Sequence, residues 1–416
     1  MKGKRPTIKR LQNRKGIATL LVAFGCVQAA LAHDCTVDGI CYNLNTAART
    51  ASVTYKRFPE NSYSGTIIVP EQIVQGDVTY RVTEVGDSAF IHCTDLTDVT
   101  IPASVMRIGQ SAFEICKGLV GLTLSYGLKT IGPRAFTACY SLTEVAIPES
   151  VTTIADYAFY DCRSLISVDI PESVTTLGMA AFWCCFNLRE AKIPSAITKL
   201  NPALFDSCHE LQTVSIPDGV TTIGWSAFSH CRNLKELTIP DGVTTIERDA
   251  FAGCKSLPSV TIPRGITELN EGTFLECSSL TEITIPDGVT TIGYWALGCC
   301  INLTAVTIPE SVTMIDGNAF SYCHSLTTIT IPSNVIEIDF YAFSDCSNLQ
   351  EIHVRNPKPP VLKYANVFDS VHYSTARLYV PEGSKEAYAA DSLWSKFEQM
   401  AEEETWPPLD PIKQKD

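Results

Sequence analysis

Eleven phenylalanines fall on one 23-residue comb running from Phe90 to Phe343, and Leu297 fills its single gap. Three residues after each of these positions stands a cysteine, Cys93 through Cys346, and three further on a leucine, Leu96 through Leu349, in all twelve registers. No insertion interrupts the spacing. Elements of an ordinary globular domain vary in length, so a period this strict marks a chain that stacks one supersecondary unit on copies of itself.

The columns of the unit have mechanical reasons. In the copy beginning at Leu280, Ile283 and Ile285 alternate with polar Thr284, the period of a short strand with one buried face. Pro286 ends that strand because it has no N–H to continue a ladder, and Asp287-Gly288 supplies a turn. Val289 and Ile292 point back inside from a second, threonine-rich extended stretch. Gly293 opens a bend, and the Ala-Phe-x-x-Cys segment suits one short helical turn, with Phe filling the core and Cys acting as a small hydrophobe. The expected fold is therefore an α/β repeat solenoid of about twelve units over residues 81–354, with strands ~4.8 Å apart and a sheet on the order of 60 Å long.

The chain holds 17 cysteines, which in an exported protein first suggests disulfides. The column geometry opposes this. Neighbouring thiols ~4.8 Å apart on parallel Cα–Cβ vectors do not converge as a disulfide requires, and a straight row of thiols does not offer zinc four converging ligands. Buried free thiols are expected. Cys35 and Cys41 flank the hairpin turn Asp38-Gly39. A two-residue turn sets Cys35 opposite Tyr42 and Cys41 opposite Thr36, so the two thiols face opposite sides of the ribbon.

The ends differ from the array. Residues 1–15 carry seven Lys and Arg and no acid, and an uncharged apolar run from Ile17 leads to Ala30-Leu31-Ala32. This is the pattern of a signal peptide over residues 1–32, and the apolar run is too short for a comfortable membrane span. Its removal takes the net charge from −13 to −20, which opposes nucleic acid and anionic lipid as partners. Residues 33–80 are expected to form an N-terminal β-hairpin cap and residues 355–400, past Arg355-Asn-Pro-Lys-Pro-Pro, a C-terminal cap. Residues 401–416 are acidic and proline-rich and are expected to be disordered.

The column pattern, seen cleanly in Ile216-Pro-Asp-Gly-Val-Thr-Thr-Ile-Gly-Trp-Ser-Ala-Phe-Ser-His-Cys231, resembles the BspA-like leucine-rich repeat of bacterial surface and secreted proteins. The N-terminal Val37-Asp-Gly-Ile-Cys-Tyr-Asn43 and the C-terminal Leu378-Tyr-Val-Pro-Glu-Gly-Ser-Lys-Glu-Ala-Tyr388 resemble the end modules found with it. The resemblance covers about residues 34–400. It implies a non-catalytic scaffold for adhesion to host or bacterial surface proteins, and it brings no catalytic residues.

The residues themselves offer no chemistry. There is no HExxH, no GxSxG and no phosphate-cradling glycine loop. Asp218, Asp241 and Asp287 are ordinary turn residues, with Arg264 interrupting their row. No cofactor and no metal is expected. Aromatic residues are the stronger signal, because rings on an edge are what protein interfaces select for. The two positions after the Ile-Gly bend hold Trp225, Tyr294, Trp295 and Phe340, the expected ligand contact. The alternative contact is the strand face, where Asp169 and Lys192, with Arg189 beside them, break a run of threonines. The chain is read as an exported, secreted or surface-held monomer that binds proteins. The runner-up reading is a glycan-capturing protein stacking sugars on the same aromatic edge.

Overall fold

A computed structural model describes residues 33–56 and 62–403; the expected signal peptide lies outside the described residues. Each 23-residue unit makes one coil, and successive coils stack in parallel with a strict register. Thr213 sits beside Glu190, Ile223 beside Leu200 and Ile246 beside Ile223, each pair 23 residues apart. One wall is built from the Val-x-Ile strands, such as Glu190–Lys192 and Glu282–Thr284. A second wall is built from two-residue strands such as Thr222–Ile223 and Thr291–Ile292. Between the walls runs the comb, and each of its phenylalanines from Phe90 to Phe343, with Leu297, is fully buried.

The third wall corrects the sequence reading. The Ala-Phe-x-x-Cys segment is not helical in any unit, so the array is nearly all strand and turn rather than α/β. In the mid-array copy, Ala227, Ser229 and Cys231 each donate their N–H three residues back, to Gly224, Ser226 and Phe228, at 3.1–3.2 Å. Ser226 and His230, two residues either side of Phe228, adopt positive φ of 52° and 58°. The same two positions are left-handed in all twelve units, with Gly272 and Gly253 among them. A right-handed helix cannot pass through such residues, whereas overlapping tight turns require them. The turns also free alternate N–H groups to bond between coils: Phe228 N–H donates to Ala250 O at 2.9 Å, and His230 N–H to Ala252 O at 2.6 Å. Helical coils would keep those donors to themselves; here the turn wall is a third inter-coil ladder.

The cysteine column has a role beyond filling space. Each thiol from Cys116 to Cys346 donates to the carbonyl of the comb residue in the preceding coil, for example Cys254 Sγ to Phe228 O at 3.3 Å. That carbonyl already accepts from its own coil, Cys231 N–H at 3.2 Å, and the thiol occupies its second lone pair. All sixteen described cysteines are free.

The ring stack outruns the comb at both ends. Tyr63 packs on Phe90 at 4.8 Å between centroids and Phe368 stacks on Phe343 at 5.3 Å, so the array has about fourteen turns. Tyr63 is also tied down by its hydroxyl, which accepts from Cys41 N–H and donates to Thr54 O, both at 2.9 Å.

Before the first coil lies the hairpin Cys35–Val37 and Ile40–Asn45, with Cys35 opposite Tyr42 and Thr36 opposite Cys41. Asp38 and Gly39 both have positive φ, the twist-compatible hairpin turn. After the last coil, Arg377–Pro381 and Gln399–Glu403 extend the first wall in parallel, with the short helix Lys385–Ala390 between them. The final strand thus runs three residues into the segment expected to be disordered from 401; residues 404–416 lie outside the described residues. Trp394 closes this end, fully buried against Phe368 with its indole N–H on Pro360 O at 2.8 Å.

Candidate functional site

The bends that bear the expected contact residues are left-handed turns, and this sets where the rings go. Trp295 is itself a left-handed residue, φ 57°. Its ring lies against Gly298, where any Cβ would collide with it, and stacks on Tyr322 of the next coil with centroids 6.3 Å apart and planes within 7°. Tyr294 and Phe340 stand in one column two coils apart. They nevertheless touch, at 6.0 Å, because the residue between them is Gly317: a Cβ there would lie 2.8 Å from the Phe340 ring. Phe340 then meets Tyr341 at 6.2 Å and Tyr364 at 5.7 Å, both edge-on. Tyr341 is 39% exposed and Tyr364 50% exposed, while Tyr294, Trp295 and Phe340 are half-buried.

Three of the four expected contact residues therefore form one continuous aromatic patch. Trp225 does not join it. Its backbone N–H donates to the Glu247 carboxylate at 2.9 Å and its ring is faced by the Arg248 guanidinium at 6.0 Å. Tyr364 was missed from sequence because the comb breaks after Phe343 and the next turn, at Phe368, is two residues longer. The signal available was the Tyr364–Phe368 spacing itself, an aromatic shortly before a Phe as in the other bends.

The alternative contact lies on the first wall. Asp169 and Lys192 line a shallow open depression of about 980 Å³ spanning the strands from Gly121–Leu124 to Thr213–Ser215; Arg189 is exposed but does not line it. Lys192 Nζ is engaged by Glu172 Oε1 at 2.7 Å. That bond, followed by the Ser195 N–H, holds the Glu172 carboxyl down at about 2. The depression is thus lined by aliphatic, small and hydroxyl side chains with the carboxylates of Glu144, Asp169 and Glu190, and its one ammonium is already paired.

Burial pushes every comb thiol upward, to about 11 for Cys93 and about 12 for Cys277 and Cys346. Such thiols are poor nucleophiles and poor metal ligands. Among the described residues, no group of three or more His, Cys, Asp and Glu is arranged to hold a metal ion. No described helix is long and apolar enough to cross a membrane.

Comparison with known proteins gives a consistent picture. The family profile described as "BspA type Leucine rich repeat region (6 copies)" matches residues 83–212, 129–258, 198–327 and 244–366. A leucine-rich repeat protein from Bacteroides ovatus is similar at 26% identity and TM-score 0.66, covering 89% of this chain and 100% of its own. A leucine rich cell surface protein from Faecalibacterium prausnitzii is similar at 25% identity and TM-score 0.55, covering 88% of this chain and 99% of its own. No curated protein matches the chain.

Proposed function

Because the chain belongs to the BspA type leucine-rich repeat family, we propose that it is a non-catalytic, exported scaffold that adheres to surface proteins of a host or of other bacteria, and that it does so through the aromatic patch around Trp295. The observation that carries this reading is the patch itself. Six rings drawn from four coils pack in edge-on, tilted and stacked pairs and are partly open to solvent. Aromatic residues held rigid in advance contribute contact area at small entropic cost, which is the composition of interface hot spots. Export is supported by the basic and apolar N-terminal run and by the similar cell surface protein of Faecalibacterium prausnitzii. Capture of sugars by the same edge is the weaker reading. Stacking needs an open ring face, and Trp295 already spends its faces on Tyr322 and Gly298.

The test is binding of the purified chain to a panel of immobilised extracellular-matrix and bacterial surface proteins. The Trp295→Ser/Tyr341→Ser/Tyr364→Ser variant, checked for unchanged thermal unfolding, should lose at least tenfold in affinity, since each aromatic hot spot contributes about 2 kcal/mol or more. Undiminished binding of that variant would exclude the patch, and the Asp169–Lys192 depression would take its place.

A further inference from the structure

The edge where each coil leaves the cysteine and enters the first wall carries a second surface, remote in chemistry from the aromatic patch. Four residues after each comb position lies an exposed to half-buried column that begins Thr94, Lys117, Tyr140, Arg163 and ends His324, Ser347. It contains no acid in twelve positions, in a chain with 45 acidic residues. Its middle is a continuous stack. Lys117 Nζ lies 5.6 Å from the Tyr140 ring centroid. The Arg163 guanidinium sits between two rings, 4.5 Å from Tyr140 and 5.8 Å from Phe186. Phe186 in turn stacks on His209 at 4.8 Å with planes within 3°. Arg232 and Lys255 continue the column in the next two coils.

The column three residues further on also lacks acids in all twelve positions and adds Arg189 and Lys235. Between the two columns stand mostly Ser and Asn, such as Ser164, Asn187 and Asn233, with Glu210 the one acid from Gly118 onward. Glu210 is engaged by Asn233 Nδ2 at 2.8 Å. Arg163 is paired with Asp161 and Lys255 with Glu276. Lys117, Arg189, Arg232 and Lys235 are exposed and form no ion pair among the described residues. His209 is pushed below the usual imidazole range, first by burial and then by the Arg232 and His230 charges, with the Asp206 and Glu210 carboxylates opposing the shift.

We propose that this edge binds a linear acidic polysaccharide, one carrying carboxylate or sulfate groups along its length. The ring faces are spent on each other and on Arg163, so the rings turn their edges outward, and an aromatic edge is the positive rim of its quadrupole. Arg163 between two such rings, with Lys117, Arg189, Arg232 and Lys235 exposed and unpaired along the same edge, gives a stripe of positive charge in the middle of the array. The intervening hydroxyl and amide side chains suit sugar hydroxyls. A single-stranded nucleic acid would need open ring faces to stack its bases, and this stack offers few.

The probe is heparin, bound to the full chain at low salt, with neutral dextran and a DNA duplex as comparisons. The structure leads us to expect heparin binding that falls steeply with salt, no dextran binding, and weaker duplex binding. Lys117→Ser/Arg232→Ser/Lys235→Ser should weaken heparin binding at least about tenfold. Lys129→Ser/Arg264→Ser/Lys358→Ser, which removes the same charge from exposed positions elsewhere, should change it less than about twofold. Replacing Lys117 and Lys235 by Arg should preserve it. The aromatic-patch variant should bind heparin normally, so failure here and failure of the adhesion reading are separable. Absent heparin binding, equal losses in the two triple variants, or a duplex bound as tightly as heparin would each overturn the proposal.

Discussion

Replacing Phe228 by Ala probes the comb where it is most regular. The ring is fully buried, 5.7 Å from Phe205 and 5.6 Å from Phe251, within 13° and 1° of parallel. Emptying it removes the largest fully buried side chain of its coil and leaves a void that neither neighbour can fill, because both are held in their own stacks. Phe→Ala in such a setting costs ~3–5 kcal/mol. The two ring pairs, at ~0.5–1.5 kcal/mol each, lie within that figure. The chain itself supplies a calibrating variant: Leu297 occupies the comb position of its coil and is fully buried. Phe228→Leu should therefore cost less than about 1.5 kcal/mol. The assay is urea unfolding followed by far-UV circular dichroism and by tryptophan fluorescence, which report on both halves of the array. In a quasi-one-dimensional protein the Ala variant should also weaken coupling across the lesion, so the two signals should separate. A loss under 1 kcal/mol for Ala, or a Leu variant as damaged as the Ala variant, would refute a core made of stacked rings.

Other consequences follow from the same geometry. Gly253 has a positive φ of 73° and its added Cβ would sit 3.2 Å from His230, so Gly253→Ala should destabilise by about 1 kcal/mol or more; a helical turn would instead gain about 1 kcal/mol from that change, and calorimetry reads the sign. Tyr63→Phe removes the hydroxyl that joins Cys41 N–H to Thr54 O and should cost ~1–3 kcal/mol by leaving buried groups unpaired, whereas an unchanged melting temperature would show that the hydroxyl does not anchor the first coil. Thiol counting with a small reagent should find few reactive groups in the native protein and twelve or more after denaturation, and a native protein found mostly oxidised would contradict the free-thiol column. All twelve comb thiols are raised by burial. The folded state therefore keeps protons that the unfolded chain releases above the ordinary thiol value of 9.0, so their contribution is complete below that pH and lost as pH rises toward about 11 and 12. Each thiol then costs up to ~1.4 kcal/mol per pH unit, and a urea midpoint as high at pH 10 as at pH 8 would argue against their burial.

What could be read from sequence was what repeats for a single chemical reason. The comb, the strand alternation and the absence of disulfides follow from identical residues meeting at fixed spacing, and they are plain in Phe90 through Cys346. The helical turn was misread because its left-handed positions are occupied by whatever each coil needs outside. Gly253, Gly272 and Asn318 favour that conformation, but Ile115, Tyr157 and Trp295 stand in the same columns and mask it. The ends were partly hidden because Tyr63 and Phe368 lie 27 and 25 residues from their neighbours in the comb rather than 23. In the candidate site, Tyr294 and Trp295 were legible as an aromatic edge. The contact of Tyr294 with Phe340 was not, since it depends on Gly317 having no side chain. Trp225 has no such gap beside it, and Arg248 covers it instead.

Hydroxyl-radical footprinting of the chain bound to the matrix or bacterial surface protein it captures addresses the adhesive edge most directly. Binding through the aromatic patch should protect Trp295, Tyr322, Tyr341 and Tyr364 together and leave the Asp169–Lys192 depression as reactive as in the free chain. Protection confined to that depression, or rings at the patch oxidised equally in the bound and free states, would contradict it.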